Sequence, residues 1–203
     1  MSDAKEHIIK VACKLFLQKS FKEVTMKELV KSTGLSKGAF YHYFESKEQL
    51  FLSVLEFFFT TIMVHRYEKY SRVSFYKFYH DYANEIDSYS KEYLKMFIGD
   101  AEEGEFNMNY FSLAFDALKL FPEFRARLVE EQKNELNVWT DVIKEARKNG
   151  EISSAMLDTE IAQLFIFSSD GVAMHMVMSG KKIEEMVKPF MRLWDRLYEQ
   201  IKT

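Results

Sequence analysis

The sequence predicts an all-α protein: an N-terminal head of three helices that contains a helix-turn-helix, followed by a larger helical body, with about nine helices in total. Two observations of composition favour this fold class. Glycine and proline are scarce, at 7 and 2 of 203 residues, which disfavours many short strands joined by tight turns. Helix-forming and long charged residues dominate, and a hydrophobic content of 47% suffices for a buried core. We place the head at residues 1–48 and the body at residues 49–203.

The first two helices are predicted from apolar spacing and from a capping motif. A first helix runs from about Ala4 to Lys19, because apolar residues recur at helical spacing. Its core-facing stripe consists of Ile8, Val11, Ala12, Leu15 and Phe16. Thr25 and Glu28 then form a capping box, and Val24 and Leu29 occupy the hydrophobic-staple positions around it. A second helix is therefore expected to begin directly after Thr25.

A glycine turn separates the second helix from a short third one. Gly34 is expected to end the second helix with a positive φ, and Ser36 to cap a helix that extends to about Tyr43. Ser46 and Gln49 form another capping box, which opens a long helix from Lys47 towards Tyr70. Two short helices around a glycine turn are the layout of a helix-turn-helix, whose second helix enters a DNA major groove. DNA binding is therefore the predicted activity of the head.

Helical periodicity continues through the body, which contains no internal repeat. A helix is expected from Phe75 to about Phe97, with a break near Ser88–Ser90 as an alternative. Residues 99–105 are expected to form an acidic loop. Pro122 suits the first turn of a helix. The remaining helices are predicted at about 107–119, 122–148, 158–178 and 183–201.

Charge is distributed unevenly between the head and the body. The net charge of the chain is −3, yet residues 1–50 contain nine lysines against six acidic residues. The remaining residues carry the compensating acidic excess. A basic head on an acidic body is typical of a protein that contacts DNA with one end.

The third helix is predicted to present a DNA-reading surface. Lys37, Gly38 and Tyr41 fall within one arc of about 100°, with His42 just beyond it. Glycine inside a helix costs about 1 kcal/mol relative to alanine, so its presence at position 38 favours a close approach to a groove. The alternative is that a two-turn helix simply tolerates it. Lys47 lies at a helix N-terminus, where a cation is unfavourable and a bound phosphate would offset it.

These segments closely resemble the DNA-binding head of TetR-family transcriptional regulators. The resemblance rests on Gly34-Leu-Ser-Lys-Gly-Ala-Phe-Tyr-His-Tyr-Phe-Glu-Ser-Lys47, on the segment from His7 to Phe16 and on that from Val24 to Leu29. It covers about 50 residues without a gap and departs at Ser20-Phe21, where the family more often has a glycine before the aromatic residue. By position, the resemblance implies phosphate contacts by Thr25, Tyr41, Tyr43 and Lys47. It implies base-edge or groove contacts by Ser36, Lys37, Gly38, Ala39 and His42, of which Lys37 is the best candidate for reading a guanine edge.

The body is rich in aromatic residues, and the resemblance implies a ligand pocket there. Residues 57–121 contain 18 of the 32 aromatic residues of the chain. Bulky rings with a few hydroxyl groups are typical of sites for small hydrophobic ligands, although an aromatic core explains each single residue equally well. The candidate ligand-binding residues are Tyr82, Tyr93, Phe97, Tyr110, Phe111, Phe115 and Trp139.

The last two helices are predicted to form a homodimer interface. Each has a stripe of apolar or small residues, and two such helices from each subunit would form a four-helix seam with the self-complementary contacts of a two-fold dimer. The candidate interface residues are Leu164, Ser168, Gly171, His175, Phe190, Trp194 and Leu197. Packing within one chain is the alternative. A dimer would place its two heads about 34–36 Å apart, or a multiple of that distance, on successive major grooves.

The sequence gives little support for a secreted, membrane-spanning, metal-binding or catalytic protein. A single cysteine, Cys13, suits a reducing cytoplasm, and the polar N-terminus has no secretory signal. The apolar stretch 161–180 is interrupted by Asp170 and His175 and is expected to be a buried helix rather than a membrane span. His65 and Glu68 lie one helical turn apart and are expected to be a pair of surface side chains rather than metal ligands. No catalytic motif, metal site or cofactor site is predicted.

The predicted function is that of a cytoplasmic, homodimeric repressor. It binds a pseudo-palindromic operator in double-stranded DNA and is released by a small hydrophobic or aromatic ligand. A transcriptional activator or a ligand-blind regulator with the same head is the alternative within this class. From another class, a ligand-binding or enzymatic helical protein that no longer contacts DNA is also open.

Overall fold

The computed structural model describes residues 3–58, 65–97, 109–181 and 185–203, with the side chains of 92–97 and 109–110 left out. Within these residues the fold is all-α, as predicted. The helices are α1 (Asp3–Gln18), α2 (Met26–Thr33), α3 (Lys37–Tyr41), α4 (Lys47–Phe57), α5 (Phe75–Phe97), α6 (Asn109–Leu120), α7 (Pro122–Lys148), α8 (Asp158–Met178) and α9 (Val187–Ile201). An isolated antiparallel bridge joins Ile152 to Lys202.

The chain forms two compact units. Unit 1 comprises Met1–Val64 and Phe97–Pro122, and unit 2 comprises His65–Met96 and Glu123–Thr203. This division differs from the boundary expected after residue 48, because α1 packs against α4 and α6 as well as against α2. The DNA-binding domain is still predicted to lie in residues 1–48, but its helices share a compact unit with later parts of the chain.

Aromatic rings fill the core of unit 1. The Phe51 ring lies 4.9 Å from Phe16, 4.8 Å from Phe21 and 5.6 Å from Phe121, measured between centroids. The buried residues of α1 are Ile8, Ile9, Ala12, Cys13, Phe16 and Leu17. The buried face is therefore rotated by about one position from the predicted stripe, and Val11 and Leu15 are only half-buried. Burial raises the pKa of the Cys13 thiol, which favours a structural role for this residue over a redox-sensing one.

In unit 2, two tryptophans lie at the centre of the core. Trp139 and Trp194 are completely buried, and their ring centroids are 5.3 Å apart. The indole N–H of Trp194 donates to the Phe165 carbonyl at 2.8 Å and to Ser168 Oγ at 3.1 Å. These bonds attach α9 to α8.

A carboxylate far along the chain caps the N-terminus of α5. Glu151 accepts hydrogen bonds from the backbone N–H groups of Phe75 at 3.0 Å and Tyr76 at 2.8 Å. It also accepts from the hydroxyl groups of Ser74 and Tyr198. Free N–H groups at a helix start favour a negative charge, so Glu151 joins α5 to α9 while it caps α5.

Substitution of Glu151 by alanine is expected to lower the free energy of unfolding by about 1–3 kcal/mol, because several donors lose a charged acceptor. The measurement is urea denaturation followed by circular dichroism. Glu130→Ala, at an exposed site on α7, is the control and should change stability by less than about 0.5 kcal/mol. Equal stabilities of the two variants would contradict the capping role.

Several predicted helix ends differ from the structure. The helix expected from Lys47 to Tyr70 is wrong at its far end, because Tyr67–Lys69 form a 3-10 turn and Tyr70 has an extended backbone conformation. The break considered near Ser88–Ser90 is absent from α5, which is continuous there. The acidic loop 99–105 lies outside the described residues.

By length and composition alone, α8 could cross a membrane. Core helices of soluble proteins pass the same test, however. Ile161, Ala162, Phe165 and Ile166 are buried in α8, whereas Phe167 is exposed. The buried face favours the predicted core helix.

Candidate nucleic-acid interface

Side-chain caps and a glycine turn set the geometry of α2 and α3. Thr25 Oγ1 accepts the Glu28 N–H at 3.2 Å, and Ser36 Oγ accepts the Ala39 N–H at 3.2 Å. Between the helices, Gly34 has a φ of 68°, and its N–H donates to the Lys31 carbonyl at 3.3 Å. Glycine adopts this left-handed conformation without steric cost. Two short helices are thus held around a tight turn, as the sequence predicts.

The reciprocal half of each capping box differs from the prediction. The Glu28 carboxylate forms an ion pair with Lys19, which attaches α2 to the end of α1. Gln49 Oε1 accepts from the N–H of Glu45 at 3.0 Å rather than from Ser46. Both helix starts therefore have the predicted N-cap, and the return bond of the second box is displaced by one residue.

The helix α3 has one buried side and one exposed side. Phe40 and Phe44 anchor the segment and are essentially fully buried, with ring centroids 6.5 Å apart. The helix itself is shorter than predicted and ends at Tyr41. The exposed residues are Ser36, Lys37, Gly38, Ala39, Tyr41 and His42. All the side chains and backbone positions assigned to the groove therefore share the exposed side.

Gly38 has open space around it in the free protein. A Cβ atom built on this residue would meet no atom within 4 Å. Packing within the chain therefore does not require glycine here. This favours an approach to a surface outside the chain over a purely internal role, although simple tolerance of glycine by a short helix also fits.

The remaining predicted phosphate contacts have different degrees of exposure. Thr25 and Tyr41 are exposed, and Tyr43 is half-buried with its ring 5.0 Å from that of His42. The Lys37 ammonium group lies 5.8 Å from the centroid of the Tyr41 ring. An exposed contact of this kind is worth about 0.5–1 kcal/mol, so Lys37 can exchange it for a base edge at low cost.

Lys47 has an internal role that the sequence did not predict. Its ammonium group donates to the carbonyls of Phe21 at 2.7 Å and Val24 at 2.9 Å. It also lies 4.3 Å from the centroid of the Phe21 ring. The charge thereby stabilises the connection between α1 and α2. A phosphate contact by Lys47 stays a prediction, and binding DNA would require this ammonium group to share or exchange its carbonyl partners.

Exposed lysines extend the positive charge beyond α3. Lys22, Lys27 and Lys31 are exposed on or near α2, whereas Lys10 is paired with Glu6 at 2.8 Å. Lysine charges of this kind supply the salt-dependent, sequence-independent part of DNA affinity.

Residues 8–54 match the family model described as bacterial regulatory proteins, tetR family. The matched segment includes the whole exposed side of α3. Over these residues the chain is similar to the DNA-binding segment of TetR-family regulators. The match is confined to 47 of the 203 residues and leaves residues 55–203 unmatched.

Curated relatives are similar to this chain over a segment of between a quarter and a third of its length. The uncharacterized HTH-type transcriptional regulator YerO of Bacillus subtilis is 47% identical over 58 residues, which are 29% of this chain and 20% of that protein. The HTH-type transcriptional repressor NemR of Escherichia coli K12 is 41% identical over 54 residues, 27% of each chain. The aligned segment thus spans about a fifth to a quarter of these relatives.

Solved structures extend the similarity in fold to nearly the whole chain. A regulatory protein TetR from Rhodobacter sphaeroides superposes with a TM-score of 0.66 at 18% identity, covering 98% of this chain and 100% of that one. The reduced form of E. coli NemR gives a TM-score of 0.62 at 19% identity, covering 97% and 98%. At these identities the similarity establishes the TetR fold alone.

The structure divides the candidate ligand residues between the two units. Tyr82 and Trp139 lie together in unit 2, with ring centroids 5.1 Å apart. Phe111 and Phe115 lie 6.3 Å apart in unit 1, and Phe115 is 56% exposed. The side chains of Tyr93, Phe97 and Tyr110 lie outside the described residues. A ligand role for these residues stays a prediction.

Polar side chains that no sequence pattern predicts surround Tyr82. The Tyr82 hydroxyl donates to Glu135 Oε1 at 2.9 Å, and Tyr67 donates to the same oxygen at 3.3 Å. The His65 ring stacks on Tyr82 at a centroid distance of 4.6 Å. Within the described residues, no group of three His, Cys, Asp or Glu side chains could hold a metal ion.

The candidate dimer residues separate into an exposed and a buried set. Leu164, Gly171 and His175 are exposed on α8, and Ser168 and Leu197 are half-buried. Phe190 and Trp194, however, are 1% and 0% exposed within their own chain. The prediction for these two residues is wrong, because a completely buried side chain has no surface left to contact a partner. The periodicity of α9 identified its apolar face correctly, but part of that face packs inwards.

Proposed function

We propose that this protein is a DNA-binding transcriptional regulator, specifically a repressor that binds a pseudo-palindromic operator as a homodimer and is released by a small ligand. One observation carries the proposal: the exposed side of α3, within a TetR-family head, presents a lysine, a glycine, a tyrosine and a histidine together. Regulation of transcription then takes place in the cytoplasm, where the chain meets bacterial DNA.

An exposed apolar surface on α8 and α9 supports the homodimer. Leu164, Phe167 and Met178 of α8 are 43%, 61% and 77% exposed, and Leu193 of α9 is 46% exposed. Nothing lies within 4 Å of a Cβ built on Gly171, so a second helix can approach closely there. Large exposed apolar residues in a soluble protein favour burial against a partner, and a second copy would form a four-helix seam.

The aromatic residues around Tyr82 and Trp139 support a ligand site in unit 2. A ligand that binds one arrangement of the two heads more tightly shifts the population towards it. A coupling free energy of about 1–3 kcal/mol between ligand and DNA, or about 5–150-fold in affinity, is typical of such regulators. Release from the operator therefore needs only a small change in the spacing of the heads.

The proposal is tested by comparing two variants of the DNA-reading surface on operator and random DNA. Lys37→Ala should weaken operator binding about 5–150-fold and random DNA by much less, because it removes a base contact. Tyr41→Phe should weaken both by a similar factor, because a phosphate contact does not depend on sequence. The measurement is fluorescence anisotropy at two salt concentrations.

Lys144→Ala is the matched control, since Lys144 is exposed on α7 in unit 2; both affinities should stay unchanged. Equal losses on operator and random DNA for Lys37→Ala would contradict the assignment of base reading. Measuring transcription with and without the protein distinguishes a repressor from an activator. A repressor should lower the amount of transcript, and an activator should raise it.

A further inference from the structure

A cluster of aromatic and acidic side chains lies on one side of the core of unit 2. We define the Glu135 cluster as His65, Tyr67, Tyr70, Tyr82, Glu85, Glu135 and Trp139. Both tyrosine hydroxyls nearest Glu135 donate to its Oε1 atom, from Tyr82 at 2.9 Å and from Tyr67 at 3.3 Å. The Tyr67 ring lies 5.6 Å from Tyr70 and 6.4 Å from Tyr82. Aromatic faces and a carboxylate therefore adjoin one another.

The negative charge of Glu135 has no cationic partner among the described residues. Its hydrogen bonds come from neutral hydroxyl groups, and both use the same oxygen atom. Burial raises the pKa of Glu135, and the nearby negative charge of Asp170 adds to this effect, while the hydrogen bonds from the tyrosines oppose it. Uncompensated charge in a partly buried site is costly, so a cation would be favoured beside it.

The histidine of the cluster does not supply that cation. His65 Nδ1 lies 3.7 Å from Glu85 Oε2, a separation beyond hydrogen-bond distance. Burial lowers the pKa of His65, and the opposing effect of Glu85 is smaller. The lowered pKa favours the neutral imidazole, so His65 supplies little counter-charge to Glu85 and forms no ion pair with Glu135 among the described residues.

Two further polar atoms in the cluster are buried without a hydrogen-bond partner among the described residues. They are the indole Nε1 of Trp139 and the hydroxyl group of Tyr70, on side chains that are 0% and 6% exposed. Folded proteins leave few such groups unsatisfied. These unpaired atoms are independent of the acidic groups. The Tyr70 hydroxyl can accept a hydrogen bond from an ammonium N–H, whereas the Trp139 N–H donates only and calls for an acceptor group on the ligand.

We propose that the Glu135 cluster binds an organic cation, an ammonium-type ligand with apolar substituents, and that this cation is the releasing ligand of the function proposed above. The rings of Tyr67, Tyr82 and Trp139 would contact the cation through their negative π faces. Glu135 would neutralise its charge, and Glu85 would add a second negative group. An anionic ligand would be repelled by the same carboxylates, and a neutral one would leave their charge uncompensated.

The test uses the full chain and pairs of probes that match in shape and differ in charge. Benzyltrimethylammonium is compared with its neutral isostere neopentylbenzene, and tetraphenylphosphonium with the anion tetraphenylborate. Binding is followed by quenching of tryptophan fluorescence, since the two tryptophans of the chain, Trp139 and Trp194, both lie in unit 2. We expect at least one cation to bind tenfold or more tightly than its uncharged or anionic counterpart.

Glu135→Gln keeps an acceptor oxygen for both tyrosine hydroxyls and removes the charge. It should weaken cation binding at least tenfold while neutral probes are unaffected, and Glu135→Asp should recover part of the loss. Glu130→Gln, at an exposed site on the same helix, is the control and should bind the cation as the wild type does. A thermal melt of each variant confirms that it is folded.

Equal binding of cations and their counterparts, or unchanged cation binding by Glu135→Gln, would overturn the proposal. Operator binding without any probe is measured in parallel. This measurement distinguishes failure of the proposed regulatory function from failure of the proposed cation site. Operator binding with no cation preference retains the regulator and rejects the cation site. Cation binding without operator binding supports the site and rejects the regulatory function, and cation-induced release from the operator supports both.

Discussion

Gly38→Leu is expected to lose operator binding by at least about 100-fold while the protein stays folded. The open space above Gly38 in the free protein accommodates a side chain, and leucine is a better helix former than glycine by about 0.8 kcal/mol. The new side chain projects from the exposed side of α3, where it would hold the helix away from the groove. Fluorescence anisotropy gives the affinity, and a thermal melt gives the stability.

Gln132→Leu adds an equally apolar side chain at an exposed site on α7 and serves as the control for non-specific effects. It should bind the operator like the wild type. Operator affinity of Gly38→Leu within about threefold of the wild-type value would mean that α3 does not approach DNA closely, and that glycine is only tolerated there.

Phe167→Glu is expected to convert the proposed homodimer into monomers. The Phe167 side chain is 61% exposed in one chain, so glutamate fits without disturbing the core. In the proposed seam it would place two desolvated carboxylates in an apolar interface, which costs several kcal/mol. Sedimentation velocity at micromolar concentration should give the mass of one chain. Operator affinity should fall about 10²–10⁴-fold, because two linked heads gain this factor over single heads.

Val129→Glu is the matched control, since Val129 is 57% exposed on α7, outside the proposed seam. It should stay dimeric and bind the operator normally. A wild-type protein that sediments as a monomer, or a Phe167→Glu variant that stays dimeric, would contradict the assignment of α8 to the interface.

Local chemistry allowed the helix starts and the turn of the head to be predicted. Thr25 and Ser36 satisfy backbone N–H groups within three residues, and Gly34 adopts its left-handed conformation within the same short segment. Signals of this kind depend on neighbours in sequence. The fold class and the exposed side of α3 could therefore be derived from the residues.

Features that depend on distant neighbours could not be predicted. Lys47 binds carbonyls more than twenty residues earlier in the chain, and no local pattern indicates such a contact. Trp194 was assigned to the dimer seam because helical periodicity identifies residues on one face, whereas only tertiary packing decides what that face contacts. Glu135 and Tyr82 are 53 residues apart, so their hydrogen bond leaves no signature in either helix.

The central claim is that this chain reads DNA as a two-fold dimer through α3. Selection of bound sequences from a random pool of duplex DNA tests it most directly. We predict that the wild-type protein enriches a motif with two-fold symmetry, whose half-site centres are separated by about 34–36 Å or a multiple of this distance. The Gly38→Leu variant should enrich none. Failure of the wild-type protein to enrich any sequence would contradict specific DNA recognition, and an enriched motif without two-fold symmetry would contradict the dimer.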